Sequence, residues 1–294
     1  MRKVAILTDS TCDLSKEIIE ERNILIIPLV VCFKEENYLD GVEITTPEMY
    51  KKVDELNMLP KTAAASIIEF SNVLTKLVND GFDVIYTGIG SKLSSSYQNC
   101  LVSMQNMDSE VASHIYPVDS GNLSTGIGLL VLKMCDMRDQ GMTAKDIQAK
   151  AEMIVPCVRA QFSVKDLTFL HMGGRCSGTA RFFGTMLRIH PILRVFDGKI
   201  IFSEKIFGRY EKALDFQIKD IINNLKHSDS DYLFITHSFA DEEAEYIYQN
   251  LPQEVKDHFK QIYITKAGCV ISSHCGKNTI GILYIKDSPL LNDK

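Results

Sequence analysis

The sequence of 294 residues has no apolar run long enough to cross a membrane, which takes roughly 20 residues. Its N-terminus reaches Asp9 too early to contain the apolar core of a signal peptide. Apolar residues still make up 45% of the chain, which is enough for a sizeable hydrophobic core. These features predict a cytoplasmic globular protein without integral membrane contact.

Positive charge is also scarce. The 32 Lys and Arg residues are outnumbered by 38 Asp and Glu residues, so the formal net charge is -6. Proteins that bind nucleic acid without sequence preference depend on clustered Lys and Arg, and anionic lipid surfaces attract the same residues. We therefore expect no nucleic-acid partner and no general attraction to lipid surfaces.

The eight cysteines form no C-x-x-C pair, which argues against a zinc site and against a disulfide framework. Cys269 and Cys275 flank His274, but one histidine and two spaced thiols do not make a closed ligand set. We expect reduced, mostly buried thiols and no bound metal.

Motifs for nucleotide binding and for serine catalysis are incomplete. No G-x-x-x-x-G-K-[ST] occurs, and the stretch that begins Gly88-Ile89-Gly90 has Leu93 where a dinucleotide fingerprint has its third glycine. We therefore predict no autonomous use of ATP and no cofactor. A stand-alone hydrolase or transferase that uses Ser94, His274 and Asp9 stays an alternative, although no G-x-S-x-G elbow supports it.

What the sequence does contain is an alternation of short apolar runs with helical patterns. In the first half, strands predicted over Val4–Leu7, Val84–Thr87 and Ile115–Val118 are separated by helices, as in a parallel sheet that is covered on both faces. In the second half, a turn through Asp197-Gly198 predicts a hairpin and therefore antiparallel pairing.

The predicted fold class is therefore α/β with two domains. Residues 1–160 are expected to form a three-layer α/β/α domain with a mainly parallel sheet. Residues 161–294 are expected to form an α/β domain with a mixed sheet. No Pro- or Gly-rich linker marks the join, and a ligand between the domains is expected.

Several helix starts are predicted from capping residues. Asp13 is expected to cap a helix that runs to about Arg22, and Ser66 with Glu69 has the spacing of a capping box. Between them, Ile24–Val31 reads as one apolar run.

The most informative stretch is Thr87–Gln98. Here an apolar strand is followed by glycines and four serines before a helical pattern begins. Backbone N–H groups and hydroxyls at such a helix start are a ready site for a carboxylate or phosphate. The alternative is plain capping, because Ser95 and Gln98 have capping-box spacing.

Other hydroxyl-bearing turns recur in the first half, at Asp9-Ser10-Thr11, Thr62–Ser66 and Asp119-Ser120. In a doubly wound sheet these turns gather at the carboxyl ends of the strands, where ligands bind. Farther along, Gly173-Gly174-Arg175 and Gly208-Arg209 place guanidinium groups beside flexible glycines. They are either solvated or contact a carboxylate or phosphate.

Taken in order, these pieces resemble the DegV family of bacterial fatty-acid-binding proteins, and the resemblance covers nearly the whole chain. The matching segments are Thr8–Leu14, Pro60-Lys61-Thr62 with Ser66, Gly90–Gln98, Val118-Asp119-Ser120, Gly173-Gly174-Arg175, and Ser273-His274 with Gly276 and Gly281.

The resemblance implies that one long-chain fatty acid lies between two α/β domains, with its carboxylate held by Thr62, Ser94 and His274. It also implies a carrier protein that acts as the lipid-binding subunit of a fatty acid kinase. A separate ATP-binding subunit would phosphorylate the bound acid for phospholipid synthesis, so the chain alone would not be an enzyme. A regulatory protein with a structural lipid is a further alternative.

Additional residues follow from the same resemblance. Further hydroxyls expected near the head group are Ser10, Ser91, Ser95 and Ser273, and the arginines expected to contact the partner or phosphate are Arg175 and Arg209. The chain departs from the family pattern at Ala63-Ala64-Ala65, where relatives commonly have Ser-Gln-Pro, and at Lys277, which adds a charge near the expected head group.

Overall fold

The computed structural model describes residues 2–176 and 189–290. Its strands are β1 (Lys3–Asp9), β2 (Ile24–Ile27), β3 (Val30–Phe33), β4 (Glu36–Leu39), β5 (Lys61–Ala63), β6 (Phe82–Gly88), β7 (Ile115–Asp119), β8 (Val158–Ser163), β9 (Ile189–Phe196), β10 (Lys199–Phe207), β11 (Tyr232–Ser238), β12 (Gln261–Lys266) and β13 (Thr279–Ile285). Its helices are α1 (Lys16–Glu21), α2 (Thr46–Leu56), α3 (Ile67–Asn79), α4 (Ser96–Gln105), α5 (Ser109–Ala112), α6 (Thr125–Asp139), α7 (Ala144–Ile154), α8 (Thr168–Gly173), α9 (Glu211–Asn224), α10 (Asp241–Asn250), α11 (Gln253–His258) and α12 (Cys269–Cys275).

The predicted parallel sheet is confirmed, with the strand order β2-β1-β6-β7 and only parallel pairs. Neighbouring residues of one strand point to opposite faces. Leu7 therefore packs with Phe70 and Leu74 of α3, whereas Ile6 packs with Ile127 of α6. Both faces are covered by helices, so this half of the molecule has the three predicted layers.

The mixed sheet is also confirmed, in the order β10-β9-β8-β13-β11-β12. Within it, β11 and β12 pair in parallel and the other neighbours pair antiparallel. The predicted hairpin turns at Asp197 and Gly198, whose φ angles are 47° and 69°. Two positive φ angles suit the right-handed twist of the flanking strands.

A third, three-stranded sheet in the order β4-β3-β5 is not predicted from the sequence. The apolar run Ile24–Val31 is not one strand, because it breaks at Pro28-Leu29 into β2 and the start of β3. Proline has no N–H to give to a ladder, so the chain leaves the parallel sheet there. As a consequence, Thr62 lies on β5 opposite Val31 rather than in a turn.

Two of the predicted helix caps are wrong and one is confirmed. Asp13 adopts a left-handed conformation with φ 50°, and Ser15 caps α1 in its place. Ser95 precedes α4 but makes no side-chain cap bond, and the N–H of the next residue, Ser96, donates to the hydroxyl of Ser94. The capping box of Ser66 with Glu69 is formed at the start of α3.

Helix α6 connects the sheets. It packs against β1 and β6 of the parallel sheet and against β8, β11 and β13 of the mixed sheet, so most of its residues are buried. We call residues 2–157, with the two smaller sheets, the first lobe, and the described residues from 158 onward the second lobe. Their independence as domains stays a prediction, with its boundary near residue 160.

None of the helices in the described ranges has both the length and the apolar character that a bilayer span requires.

Candidate ligand cavity

A cavity of about 320 Å³ lies where residues of both lobes meet. Its walls are mostly apolar, and the apolar residues that line it include Leu29, Ile89, Leu93, Phe162, Val270 and Leu283. A few polar side chains interrupt this lining. Small-molecule sites usually combine these two features at volumes of about 300–1,000 Å³.

Two of the polar groups come from opposite lobes and touch each other. Thr62, on β5, lies with its Oγ1 2.8 Å from Nε2 of His274, on α12. The two residues are 212 positions apart in sequence, and both line the cavity. The fold therefore brings together a hydroxyl and an imidazole that the sequence leaves unrelated.

His274 is held as a neutral base. Burial, together with the positive charge of Arg175, lowers the pKa of His274 to about 4. Its Nδ1 is buried and has no hydrogen-bond partner among the described residues. A Cβ placed on Gly173 would lie 2.4 Å from this atom, so only glycine fits behind the ring.

Ser94 lines the same cavity from a tight loop after β6. Gly90 starts the loop and donates its N–H to the carbonyl of Asn122 at 2.8 Å, and the N–H of Leu93 returns to the carbonyl of Gly90 at 2.8 Å. A side chain on Gly90 would come within 2.8 Å of the Asn122 backbone nitrogen. Ser95 lies beside Ser94 in the cavity wall.

Three serines expected near the head group lie outside this cavity. The hydroxyl of Ser10 accepts the N–H of Leu29 at 3.1 Å, and the hydroxyl of Ser273 donates to the carbonyl of Cys269 at 2.6 Å. Ser91 bonds to Asp119 through both its N–H and its hydroxyl. Because none of the three lines the cavity, we leave these serines out of the head-group site.

Of the two arginines expected to contact a partner or phosphate, one lines the cavity and the other does not. Arg175 is exposed and lines the cavity, and its Nη1 donates to the carbonyl of Gly173 at 2.6 Å. Arg209 is exposed just before α9 and lies outside the cavity. Lys277 also points elsewhere, because it forms a 3.0 Å ion pair with Asp54.

The alternative catalytic triad is not assembled. The carboxylate of Asp9 accepts the N–H groups of Thr11 and Ile89, each at 3.0 Å, and has no bond to His274. A triad needs the acid on the second nitrogen of the histidine, which here faces Gly173. Burial raises the pKa of the neighbouring Cys275 to about 12, so its thiol is not an activated nucleophile.

No group of three potential metal ligands occurs within residues 2–176 and 189–290. All eight cysteines are free thiols, and all but Cys32 are buried.

Most of the cavity wall is not predicted from the sequence. Asn99 and Thr236 line it beside the predicted hydroxyls, and its apolar residues come from seven or more separate elements and loops. An apolar residue that faces a cavity has no local sequence pattern to distinguish it from one in a filled core.

Known proteins are similar to this chain in sequence and in architecture. A family model described as "Uncharacterised protein, DegV family" matches residues 3–287. A DegV domain-containing protein of Clostridium acetobutylicum is 30% identical over 286 residues, which cover 97% of this chain and 99% of that protein.

Two solved structures extend the comparison. A DegV family protein from Thermus thermophilus, described by its fatty acid binding, has a TM-score of 0.86 and 26% identity over 97% of this chain and 100% of its own. A stearic acid-binding protein from Eubacterium ventriosum has a TM-score of 0.83 and 26% identity over 98% of this chain and 99% of its own. The chain therefore belongs to the DegV family.

Proposed function

We propose that the cavity binds one long-chain fatty acid whose carboxylate is held by Thr62, Ser94 and His274. The observation that carries the proposal is the contact between Thr62 and His274 at the wall of an otherwise apolar cavity between the lobes. Solved relatives of similar length and fold are described as fatty-acid-binding proteins, which supports the same ligand class.

The energetics divide between tail and head group. Burial of each methylene contributes ~0.8 kcal/mol, so a chain of about sixteen carbons supplies on the order of 10 kcal/mol before losses. A hydrogen bond from a hydroxyl to the carboxylate adds about 0.5–1.5 kcal/mol net. The tail therefore sets the affinity, and the three polar side chains set where the carboxylate lies.

We further propose that the chain presents the bound acid to a separate ATP-dependent kinase subunit, which forms an acyl phosphate for phospholipid synthesis. The sequence contains no G-x-x-x-x-G-K-[ST] motif, which is consistent with a nucleotide supplied by a partner. Arg175 supports this role, because an exposed guanidinium at the cavity is suited to a phosphoryl group that approaches the carboxylate.

The ligand is tested by native mass spectrometry of the purified chain, followed by removal of lipid and titration with palmitate and oleate. We expect one acyl chain per protein and uptake of added fatty acid. Failure of both the purified and the delipidated protein to hold any acyl chain contradicts the proposal. Thr62→Val serves as the site variant, and Ser273→Ala, which removes a neighbouring hydroxyl outside the cavity, is its matched control.

The carrier role is tested with ATP and the ATP-binding subunit from the same organism, with acyl phosphate trapped as a hydroxamate. We expect product only when both proteins are present and, with the fatty acid at a saturating concentration, a lower rate with Arg175→Ala. Lys277→Ala, which removes an exposed cation paired with Asp54, is the control and should keep the wild-type rate. Product formed by this chain alone would favour an independent transferase instead.

A further inference from the structure

The helix that carries His274 begins against two buried aspartates of the first lobe. The N–H of Gly268 donates to Asp13 at 2.8 Å, and the N–H of Cys269 donates to Asp40 at 2.8 Å. A third bond joins Val270 to the other oxygen of Asp40 at 3.3 Å. Both acids are almost fully enclosed, with exposed fractions of 5% for Asp13 and 3% for Asp40.

Helix α12 has no cap of its own. Its N-cap residue is Gly268, which offers no side chain, and its first turn contains no acidic residue. The first N–H groups of a helix need acceptors from outside the helical ladder. Here the acceptors come from parts of the chain more than 220 residues away. The start of α12 is thus anchored by the first lobe and not by its own sequence.

Each aspartate is itself fixed. Asp13 sits in the left-handed conformation after the 3-10 turn Ser10–Cys12 and accepts the hydroxyl of Ser124 at 2.5 Å. Asp40 follows β4, and its N–H donates to the carbonyl of Leu29 at 2.9 Å. No basic side chain within the described ranges forms an ion pair with either carboxylate.

Burial of these two acids costs folding free energy. Burial raises the pKa of Asp13 to about 8 and also raises the pKa of Asp40, because the charged forms lose their hydration. The N–H groups of α12 act in the opposite direction and favour the charged forms. Core packing alone does not require two acids at this place, and an apolar pair would avoid the desolvation.

The consequence for the cavity follows from helix geometry. His274 lies six residues beyond Gly268, or about 9 Å along the helix axis at 1.5 Å per residue. Val270 and Ile271, between them, form part of the cavity wall. A shift of the helix start would therefore move the apolar wall and the imidazole together, relative to Thr62 on the first lobe.

We propose that Asp13 and Asp40 are positioning residues that seat α12 against the first lobe and so place His274 beside Thr62. Neither acid lines the cavity, so both act through the helix and not through the ligand. This role rests on the proposed fatty-acid site, because His274 belongs to that site. Its main test, however, needs no ligand.

The test uses imidazole NMR of the full chain, with the His274 resonances assigned through His274→Gln. We expect Asp40→Ala to shift these resonances and to raise the pKa of His274 toward its ordinary value of about 6.5, because the imidazole gains solvent. The matched control is Asp220→Asn, since Asp220 is another buried acid but accepts from Arg159 and Gln161 of the mixed sheet. The control should leave the His274 resonances in place.

Amide variants cover the case in which the alanine variant does not fold. Asp13→Asn keeps an acceptor for Gly268, and the hydroxyl of Ser124 can turn to accept from the amide. In Asp40→Asn, the side-chain NH2 group replaces one of the two oxygens that accept from Cys269 and Val270. One of these backbone N–H groups then faces another donor and loses its hydrogen bond. We therefore expect Asp40→Asn to shift His274 and Asp13→Asn to leave it nearly unchanged. Folded Asp40 variants with wild-type His274 resonances, or an equal shift in Asp220→Asn, would overturn the positioning role.

A binding measurement then connects the anchor to the site. Asp40→Asn should weaken binding of a fatty acid by about tenfold, because a displaced His274 no longer makes its hydrogen bond to the carboxylate, and should weaken binding of its methyl ester much less. Equal losses for acid and ester would contradict the role of α12 in head-group placement. If the wild-type protein binds no fatty acid while the NMR shifts still appear, the positioning role stands and the proposed function falls.

Discussion

Polar groups at the ends of the parallel strands differ from those in the cavity in what is left for a ligand. After β1 and β7, the carboxylates of Asp9 and Asp119 and the hydroxyl of Ser120 are engaged by the backbone or side chains of their own lobe. In the cavity, the side chains of Thr62 and His274 are hydrogen-bonded across the two lobes, and Nδ1 of His274 has no partner in the described part of the chain.

The difference teaches when a hydroxyl-rich turn is a binding site. Buried polar groups in folded proteins are almost always hydrogen-bonded. The strand-end turns obey this rule internally, so they stabilise the first lobe. The cavity residues come from two lobes. When Nε2 of His274 donates to Thr62, the hydroxyl proton of Thr62 stays available to a carboxylate. The hydroxyl of Ser94 accepts the N–H of Ser96 and likewise keeps its own proton to donate.

The comparison predicts that Asp9→Ala has the largest effect on stability. Loss of this carboxylate leaves the buried N–H groups of Thr11 and Ile89 without an acceptor, at about 1–3 kcal/mol for each. We expect the free energy of unfolding to fall by about 3 kcal/mol in urea denaturation. The folded variant should still take up fatty acid, and a stable variant that has lost uptake would reverse the assignment of this turn.

Gly173→Ala tests the cavity residues and should weaken fatty-acid binding. The new Cβ lies 2.4 Å from Nδ1 of His274, so the imidazole must move. We expect fatty-acid affinity to fall by roughly 2 kcal/mol, or about thirtyfold, in a calorimetric titration. Gly174→Ala is the control, because its Cβ meets open space at φ 67° and costs about 1 kcal/mol of stability only.

Thr62→Val tests the division between head group and tail. The variant keeps the volume and removes the hydroxyl, so we expect a loss of about 1 kcal/mol in binding of the acid. Acyl phosphate formation in the coupled assay should fall further, because the carboxylate is no longer aligned. Equal losses in affinity and in turnover would contradict this division.

A smaller effect should distinguish two serines of one loop. Ser94→Ala removes a cavity hydroxyl and should weaken fatty-acid binding by about threefold to tenfold. Ser91→Ala removes a hydroxyl that pairs with Asp119 outside the cavity, and its binding curve should overlay that of the wild type. Similar curves for both variants would remove Ser94 from the site.

The smallest predicted effect is the uptake of a fraction of a proton by His274 when the fatty acid binds. His274 is neutral above its pKa of about 4, and a bound carboxylate raises that pKa, so binding takes up part of a proton. Affinity should therefore fall as the pH rises from about 5 toward 7. Calorimetry in two buffers of different ionisation enthalpy measures the uptake, which should be less than one proton and smaller in His274→Gln. Equal uptake by the two proteins would exclude His274 as its source.

Much of the fold is predictable because it depends on local rules. The parallel strands follow from their apolar runs, and the hairpin follows from Asp197-Gly198. The three-stranded sheet is not predictable in this way, because β5 has three residues and no alternating pattern. Short strands acquire their pairing from tertiary contacts, which no window of sequence contains.

The candidate site divides in the same way. Thr62, Ser94 and His274 are identified by family resemblance, and the fold places all three on one cavity. Ser10, Ser91 and Ser273 look equally suitable in sequence, yet none of them lines the cavity. A hydroxyl carries no local mark of the partner that the folded chain will give it.

The sequence by itself determined the α/β class, the parallel and hairpin-containing halves and the family, since these depend on periodicity, turn residues and ordered motifs. Only the tertiary structure decided which polar groups stay available. It set Thr62 against His274, and it anchored the start of α12 on Asp13 and Asp40. The physical reason is that a free hydrogen-bonding group is whatever remains after every nearer partner in three dimensions has been satisfied.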